Sequence, residues 1–294
     1  MTTENVDESE LNEKIVNDLF NSILRENLNC IKSIFQNNEI SPWTFKNKDG
    51  FNTIQFSCFH NLNIVTFAMI EETKLRTDKE TIQNWINEKS AQGYTPIHYA
   101  SYRGNIEIIK YLVENGADIN VVNKKGLNVM HLASQGDRPN SLVYFKEYHN
   151  LNIELRDGLG STALHWATYT SSYSSLQFLL SFEGINVNAQ DVEGYTPLHL
   201  SVMAKKPSII KKLLQYNADR TIKDKKGRNP YDLANDKKET EIAQILMDHS
   251  DYFGFCVIKS EIFKNKRSNT NVYIFLILHL FVETGVFFLL IPCN

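Results

Sequence analysis

Residues 93–100 are GYTPIHYA, and four further blocks with the same pattern follow this stretch along the chain. They are GLNVMHLA from Gly126, GSTALHWA from Gly160, GYTPLHLS from Gly194 and GRNPYDLA from Gly227. The opening glycines are 33, 34, 34 and 33 residues apart, and each block is followed by an apolar run with helical spacing, such as IIKYLV or IIKKLL. A unit of this size cannot bury its apolar face alone, so the repeats are predicted to stack on one another.

The residues that open each block predict where its first helix begins. Thr95 and Thr196 are placed to cap a helix N-terminus with a side-chain oxygen, and a proline follows each of them. Proline suits the first helical position because its missing N–H has no partner there in any case. Asn128 and Asn229 can cap in the same way, and Gly116 is suited to a left-handed residue after a second helix.

The first 92 residues fit the repeat less well. The segment GFNTI from Gly50 resembles a degraded block start, but it lies 43 residues before Gly93, which implies about ten extra residues around 71–79. Residues 18–23 and 29–35 are predicted to be the two helices of an N-terminal capping repeat. Together with the five blocks from Gly93 onward, these segments predict seven helix pairs.

Composition excludes several classes of function. The 294 residues include 31 Lys and Arg against 34 Asp and Glu, so the chain has no overall basic excess of the kind that nucleic-acid-binding domains show, and nucleic acid is not expected as a partner. The four cysteines are too scattered for a disulfide framework or a zinc site. Because no catalytic or phosphate-binding motif is present, the sequence predicts no catalytic residue, no metal and no cofactor.

The block pattern and its period resemble the ankyrin repeat, a unit of two helices and a projecting hairpin. The resemblance implies a stack of helix pairs in which one recurring histidine hydrogen-bonds neighbouring backbone. This structural role, rather than metal or acid–base chemistry, is expected for His98, His131, His165 and His199, which recur at 33, 34 and 34 residues.

A segment near the C-terminus is almost wholly apolar. Fifteen of the 20 residues from 272 to 291 are Val, Leu, Ile or Phe, and as a helix they would measure about 30 Å, the thickness of a bilayer core. The basic residues at 264–267 precede it, which predicts that the repeats are cytosolic. His279 and Glu283 share one helix face and form a predicted intramembrane polar face that contacts another helix.

A second resemblance rests on MHLASQGD from Met130 with SLVYFK from Ser141, on GSTALHWA from Gly160 and on ADR at 218–220, ahead of a predicted membrane helix. Together they resemble the ankyrin-repeat DHHC protein S-acyltransferases (palmitoyltransferases), which implies a substrate-recruiting role and a Golgi or ER endomembrane location. The sequence departs from that family at 248–250, since Asp-His-Ser is not the Asp-His-His-Cys motif and no cysteine-rich domain is present.

Three interpretations therefore stay open. The chain is a membrane-anchored ankyrin adaptor, or the N-terminal part of a palmitoyltransferase whose DHHC domain is missing, or part of an ankyrin-bearing channel. The short distance between the repeats and the predicted membrane helix disfavours the channel.

Cytosolic partner proteins are expected to bind in the groove formed by hairpin tips and the exposed ends of the first helices, while the C-terminal helix would bind the membrane. The predicted partner-binding residues are Tyr102, Arg103, Tyr169, Val192, Tyr195 and Met203. Exposed aromatic residues and arginine are enriched in interface hot spots. The alternative is that individual members of this set simply pack on neighbouring repeats.

The expected fold class is all-α, an ankyrin-repeat solenoid followed by a C-terminal transmembrane helix. Its segments are a disordered N-terminus at 1–10, a repeat domain of about six or seven repeats at 11–250 with its best matches at 93–250, a juxtamembrane segment at 251–271 and a transmembrane helix at 272–292.

Overall fold

The computed structural model describes residues 8–37 and 40–247, which form an all-α solenoid of stacked helix pairs. Its helices are α1 (Glu8–Leu24), α2 (Leu28–Gln36), α3 (Thr53–His60), α4 (Asn63–Lys74), α5 (Lys79–Ile86), α6 (Pro96–Arg103), α7 (Ile106–Glu114), α8 (Val129–Gln135), α9 (Pro139–Val143), α10 (Ala163–Tyr169), α11 (Tyr173–Leu180), α12 (Pro197–Met203), α13 (Pro207–Gln215), α14 (Pro230–Asp236) and α15 (Thr240–Met247). A short 3-10 turn at Pro42–Thr44 and a π-helical turn at Tyr144–Tyr148 complete the described elements. Residues 8–10 of the segment expected to be disordered therefore lie in α1.

The first helices of the pairs pack on one another in chain order, from α1 through α3, α6, α8, α10 and α12 to α14. Apolar side chains from both helices of a pair fill the space between layers, as Ile97 of α6 and Ile108 and Leu112 of α7 show, all three being fully buried. The predicted caps are present, since Thr95 and Thr196 precede α6 and α12 with proline at the next position. The stack therefore has one continuous core.

The extra residues before Gly93 lengthen α4 and add α5. Helix α4 has 12 residues where α7 has 9, and the loop after it carries Arg76. The Arg76 guanidinium donates hydrogen bonds to the carbonyl oxygens of Phe35 and Ile40 and lies 5.1 Å from the centre of the Trp43 ring. The insertion is thereby tied to the N-terminal helix pair.

Two expectations about the C-terminal part of the chain need correction. Among residues 8–37 and 40–247, no helix is long and apolar enough to cross a membrane. The longest, α1, has 17 residues, and a membrane-spanning helix needs about 20 that are mostly apolar. The fold class that the described residues show is the all-α solenoid. The predicted C-terminal transmembrane helix has no support from them, and the single-pass endomembrane location that depended on this helix is contradicted with it.

Several sequence predictions concern residues outside the described ranges. These are the juxtamembrane segment at 251–271, the predicted span at 272–292 and the polar pair His279 and Glu283 within it.

Four recurring histidines join the start of each first helix to the next repeat. We call them the link histidines: His98, His131, His165 and His199. In each of them Nδ1 accepts the backbone N–H of the N-cap residue three positions earlier, at 3.0–3.2 Å. Since Nδ1 accepts, the ring hydrogen is on Nε2, which faces backbone carbonyl groups of the following hairpin. The acceptors are the carbonyl oxygens of Ser161, Tyr195 and Arg228 for His131, His165 and His199 respectively, each at 3.1 Å.

The repeat that begins at Gly50 makes the same link with a glutamine, Gln55, a role that was not predicted. Gln55 Oε1 accepts the backbone N–H of Asn52 at 3.0 Å, while its Nε2 donates to the carbonyl oxygens of Glu88 at 2.7 Å and Tyr94 at 3.4 Å. A primary amide carries the same acceptor and donor as a neutral imidazole. The signal in the sequence is an amide residue three positions after a capping asparagine.

Burial holds the link histidines in the neutral form. Desolvation lowers the pKa of His131, His165 and His199, and it lowers the pKa of His98 to about 4. The Nε2 atom of His98 is buried without a hydrogen bond of good geometry, although it faces the carbonyl groups of Val121 and Leu127.

The first prediction concerns acid. Between pH 6.5 and 4 an unfolded histidine binds a proton that folded His98 does not, so the free energy of unfolding falls as the pH is lowered, by about 2 kcal/mol from this residue at pH 5. In His98→Gln, which copies Gln55, we expect stability near that of the wild type at pH 7.5 and a smaller loss between pH 7.5 and 5. Urea unfolding at both values measures the difference. Leu159→Gln, which introduces the same side chain at a position that is 61% exposed and outside the four links, is the control and should keep the wild-type pH dependence. An unchanged loss in His98→Gln would contradict the prediction.

The second prediction concerns the glycines that open the blocks. Gly126 has a φ of +75°, and a Cβ there would lie 2.5 Å from the Gly158 nitrogen of the next hairpin. Gly227 has a φ of +76° with nothing within 4 Å of its Cβ position. Gly227→Ala should cost about 1 kcal/mol from left-handed strain, whereas Gly126→Ala must also push two hairpins apart and should cost about 3 kcal/mol. Equal losses in urea unfolding would show that Gly126 does not set the spacing between hairpins.

Candidate functional site

Six hairpin tips project from the stack, one before each of the helices α3, α6, α8, α10, α12 and α14. We define the hairpin tips as residues 46–50, 89–93, 122–126, 156–160, 190–194 and 223–227. Most are closed by an Asx turn, in which a side-chain oxygen accepts backbone N–H groups two and four residues later. In the third tip, Asn123 Oδ1 accepts from Lys125 and Leu127, both at 2.9 Å. Asn47, Asp157, Asp191 and Asp224 form the same turn in their tips.

Backbone hydrogen bonds join successive tips. The four bonds run from the N–H groups of Lys124, Gly158, Val192 and Lys225 to the carbonyl oxygens of Gln92, Lys125, Leu159 and Glu193, at 3.1, 2.8, 2.9 and 2.9 Å respectively. The tips from 89 to 227 therefore form one continuous, backbone-bonded row along the edge of the solenoid.

The first helices present a second row of side chains at the position four residues after each link histidine. This helix row consists of Tyr102, Gln135, Tyr169 and Met203. Near it, the Trp166 indole N–H donates to Asp157 Oδ2 at 2.9 Å, and the indole lies edge-on to the Tyr169 ring with centres 6.3 Å apart. The side chain of Trp166 is thus fixed by the hairpin tip that precedes its helix.

Three of the six predicted partner-binding residues are exposed. The exposed fraction is 56% for Tyr169, 44% for Val192 and 38% for Tyr102. Tyr169 and Tyr102 belong to the helix row. Val192 lies in a hairpin tip, where its backbone N–H donates to the carbonyl oxygen of Leu159.

The other three predicted residues are half-buried, and two of them make contacts within the stack. Arg103 donates from Nε to the Phe59 carbonyl oxygen at 2.6 Å, with its guanidinium 4.8 Å from the Phe59 ring centre. The Tyr195 hydroxyl accepts a 3.4 Å hydrogen bond from Arg228. Met203 ends α12 in the helix row.

Arg228 is itself held by a buried carboxylate. Its Nη2 lies 2.7 Å from Asp224 Oδ2 and its Nε 3.0 Å from the same oxygen. Burial acts to raise the pKa of Asp224, but the hydrogen bonds from Arg228 outweigh it, and the pKa ends below its usual value. Arg228 thus connects Tyr195 to Asp224 of the last hairpin tip.

Leu159 is a further exposed residue of this surface that was not predicted, with 61% of its area exposed near the end of its hairpin tip. Its signal is a leucine directly before the repeat glycine, where the neighbouring tips carry Lys125, Glu193 and Lys226. Its carbonyl accepts from Val192, so the two apolar side chains belong to adjacent tips.

The described part of the chain shows no group of three or more His, Cys, Asp or Glu side chains that is placed to hold a metal ion. What the described rows offer is a rigid backbone with exposed aromatic, apolar and charged side chains, an arrangement suited to binding a macromolecular surface.

Comparison with known proteins identifies the repeat. The family model for ankyrin repeats, in three copies, matches residues 19–123, 116–191 and 173–254. Notch-regulated ankyrin repeat-containing protein A of Danio rerio is 34% identical over 59 residues, which is 20% of this chain and 53% of that protein. The human Notch-regulated ankyrin repeat-containing protein is 34% identical over 59 residues, 20% of this chain and 52% of that protein.

A longer but proportionately smaller match is with alpha-latrotoxin-Lhe1a of Latrodectus hesperus, 36% identical over 78 residues, which is 26% of this chain and 6% of the toxin. The chain spans about half the length of the Notch-regulated relatives it matches. Since the family model covers most of the chain and the structure has the stacked helix pairs, the linked hairpin tips and the recurring histidine, the chain belongs to the ankyrin-repeat family.

Proposed function

We propose that residues 11–250 form a protein-binding module whose partner lies across the hairpin tips and the helix row. The observation that carries the proposal is the apolar centre of this surface, where exposed Leu159 and Val192 lie in adjacent, backbone-bonded tips and exposed Tyr169 lies on α10, the helix that follows the Leu159 tip. Tyr102, Arg103, Tyr195 and Met203 lie in or next to the two rows and are proposed to contribute contacts.

The chemistry of the surface supports binding rather than packing for the exposed members. Exposed aromatic and aliphatic side chains lose unfavourable hydration when a partner covers them, worth about 25 cal/mol per Å² of apolar area. The backbone beneath them is fixed by hydrogen bonds, so little conformational entropy is lost on binding. Arg103 and Tyr195 already have partners in the stack and are proposed to contribute shape rather than new hydrogen bonds.

The resemblance to the DHHC acyltransferases has no support from the comparisons. Neither the family match nor the relatives named above point to an acyltransferase, and the chain has no Asp-His-His-Cys motif. Protein binding through the repeats does not depend on that resemblance.

The third prediction tests the apolar centre. We expect the double variant Leu159→Ala, Tyr169→Ala to recover at least fivefold less partner protein than the wild type in affinity capture from cell extract, because its side chains would be the buried anchors of the complex. The melting temperature should change by no more than a few degrees, since both side chains are exposed.

Tyr173→Ala is the matched control, because Tyr173 is an exposed tyrosine at the start of the second helix α11 and is a member of neither row. It should capture partners as the wild type does. Equal capture by the double variant and the wild type would contradict the proposal, as would a parallel loss in the Tyr173 variant.

A further inference from the structure

Basic residues are concentrated in the hairpin tips. The six tips contain nine Lys or Arg against five Asp or Glu, although the whole chain has 31 against 34. The overall charge therefore hides a basic edge on the solenoid, balanced by acidic residues elsewhere.

The tip carboxylates offset this charge only in part. Asp157, Asp191 and Asp224 each use a side-chain oxygen to close an Asx turn, and Asp157 and Asp224 are buried. Of the five tip acids, Asp49 and Glu193 are exposed, and Asp191 is half-buried.

Among the described residues, most of the tip lysines have no ion-pair partner. Lys46 pairs with Glu88 at 2.7 Å and Lys48 with Glu13 at 3.6 Å. The remaining six have no carboxylate within 4.0 Å among the described residues and are exposed: Lys89, Lys124, Lys125, Lys223, Lys225 and Lys226. Their ammonium groups carry no structural ion pair within the stack, so they are available to a ligand.

The order of the tips gives this surface a pattern. Along residues 122–227 of the row, Lys124 and Lys125 lie at one end, Leu159 and Val192 in the middle, and the basic tip 223–227 at the other end. Arg156, in the middle, already donates hydrogen bonds to the carbonyl oxygens of Gly160 and Gln190. The helices that follow the two basic tips, α8 and α14, are three layers apart. Packed helices are about 8–10 Å apart, so the two basic tips are separated by roughly 25–30 Å, the length of about seven to nine extended residues.

We infer that the partner of this surface presents an extended acidic segment, with carboxylates at both ends and apolar side chains between them. The inference rests on the proposed protein-binding function and names the chemistry of the partner. The carboxylates meet the tip lysines, and the apolar residues cover Leu159, Val192 and Tyr169. Complementary charge of this kind mainly sets specificity and association rate, while the apolar centre supplies affinity.

A protein segment fits the pattern better than a nucleic acid does. A phosphate backbone carries one negative charge per nucleotide throughout its length, so it would place phosphates against exposed Glu193 and against the apolar pair in the middle of the row. A peptide can leave the centre uncharged, which the order of these tips requires.

The fourth prediction tests this inference with the full chain and a fluorescent nine-residue peptide that has three glutamates on each side of Leu-Phe-Leu. Fluorescence anisotropy should show saturable binding at 50 mM salt that weakens at least fivefold at 300 mM salt. A peptide with lysines in place of the glutamates, and one with the glutamates in the middle, should each bind at least tenfold more weakly.

Charge reversal locates the site. The double variants Lys124→Glu, Lys125→Glu and Lys225→Glu, Lys226→Glu should each bind the acidic peptide at least tenfold more weakly. The control Lys110→Glu, Lys211→Glu changes the net charge by the same amount at exposed positions on the second helices α7 and α13, and it should bind within twofold of the wild type. Circular dichroism should give the same melting temperature for all three within a few degrees.

The inference is wrong if the wild type fails to bind the acidic peptide, if the tip variants bind it as tightly as the control does, or if the lysine peptide binds equally well. Tighter binding of a single-stranded oligonucleotide or of vesicles with about 30% phosphatidylserine would also overturn it. In each of these cases, loss of capture in the Leu159 and Tyr169 variant would still support the proposed function, so the two failures are distinguishable.

Discussion

The fold depends on one side chain per repeat that accepts a hydrogen bond from its own helix N-terminus and faces the next hairpin with a donor. Neutral histidine does this in four consecutive repeats and Gln55 in the repeat before them. The last repeat has Asp232, whose carboxylate accepts the Asn229 N–H but has no hydrogen to donate. Within the described residues no hairpin follows α15, so an acceptor alone suffices there. The residue type at this position thus follows from the number of neighbours that it must serve.

The hydrogen bonds of this side chain also help to distinguish side chains that hold the fold together from side chains that do not. Because buried imidazoles, Asx turns and tip-to-tip backbone bonds fix the hairpins, tip side chains that make no contact with a neighbouring repeat are not needed for the fold. Lys124, Lys125 and Leu159 are exposed at positions where many residue types would fold equally well. Arg103 shows the opposite case, since its contacts with Phe59 make it part of the stack. Side chains that do no structural work are where selection for binding is free to act.

Sequence alone predicts the periodic part of the structure well, because the period, the caps and the left-handed Gly116 are local signals. It failed where the outcome depended on tertiary contacts. Some of the residues before Gly93 form α5, and Arg76 in the loop before this helix binds carbonyl groups some forty positions away. No local pattern reveals these contacts. Gln55 was missed because its role requires the position of the next hairpin. At the surface, sequence alone does not separate Tyr169 from Tyr195, because both are tyrosines in similar blocks. In the structure Tyr169 is exposed, whereas Tyr195 accepts a hydrogen bond from Arg228.

A row of tips is a different kind of recognition surface from a cleft. The backbone spacing along the row is fixed by hydrogen bonds, whereas the lysine side chains are long and mobile, so a ligand meets charges at defined intervals without a preformed pocket. Exposed ion pairs are each worth only about 0.2–1 kcal/mol, so no single lysine can hold a partner. Specificity must then come from the order of charges and apolar residues along several repeats. Exposed Glu193, set between the apolar centre and the basic tip 223–227, penalises a ligand with uniform negative charge and thereby contributes to selection.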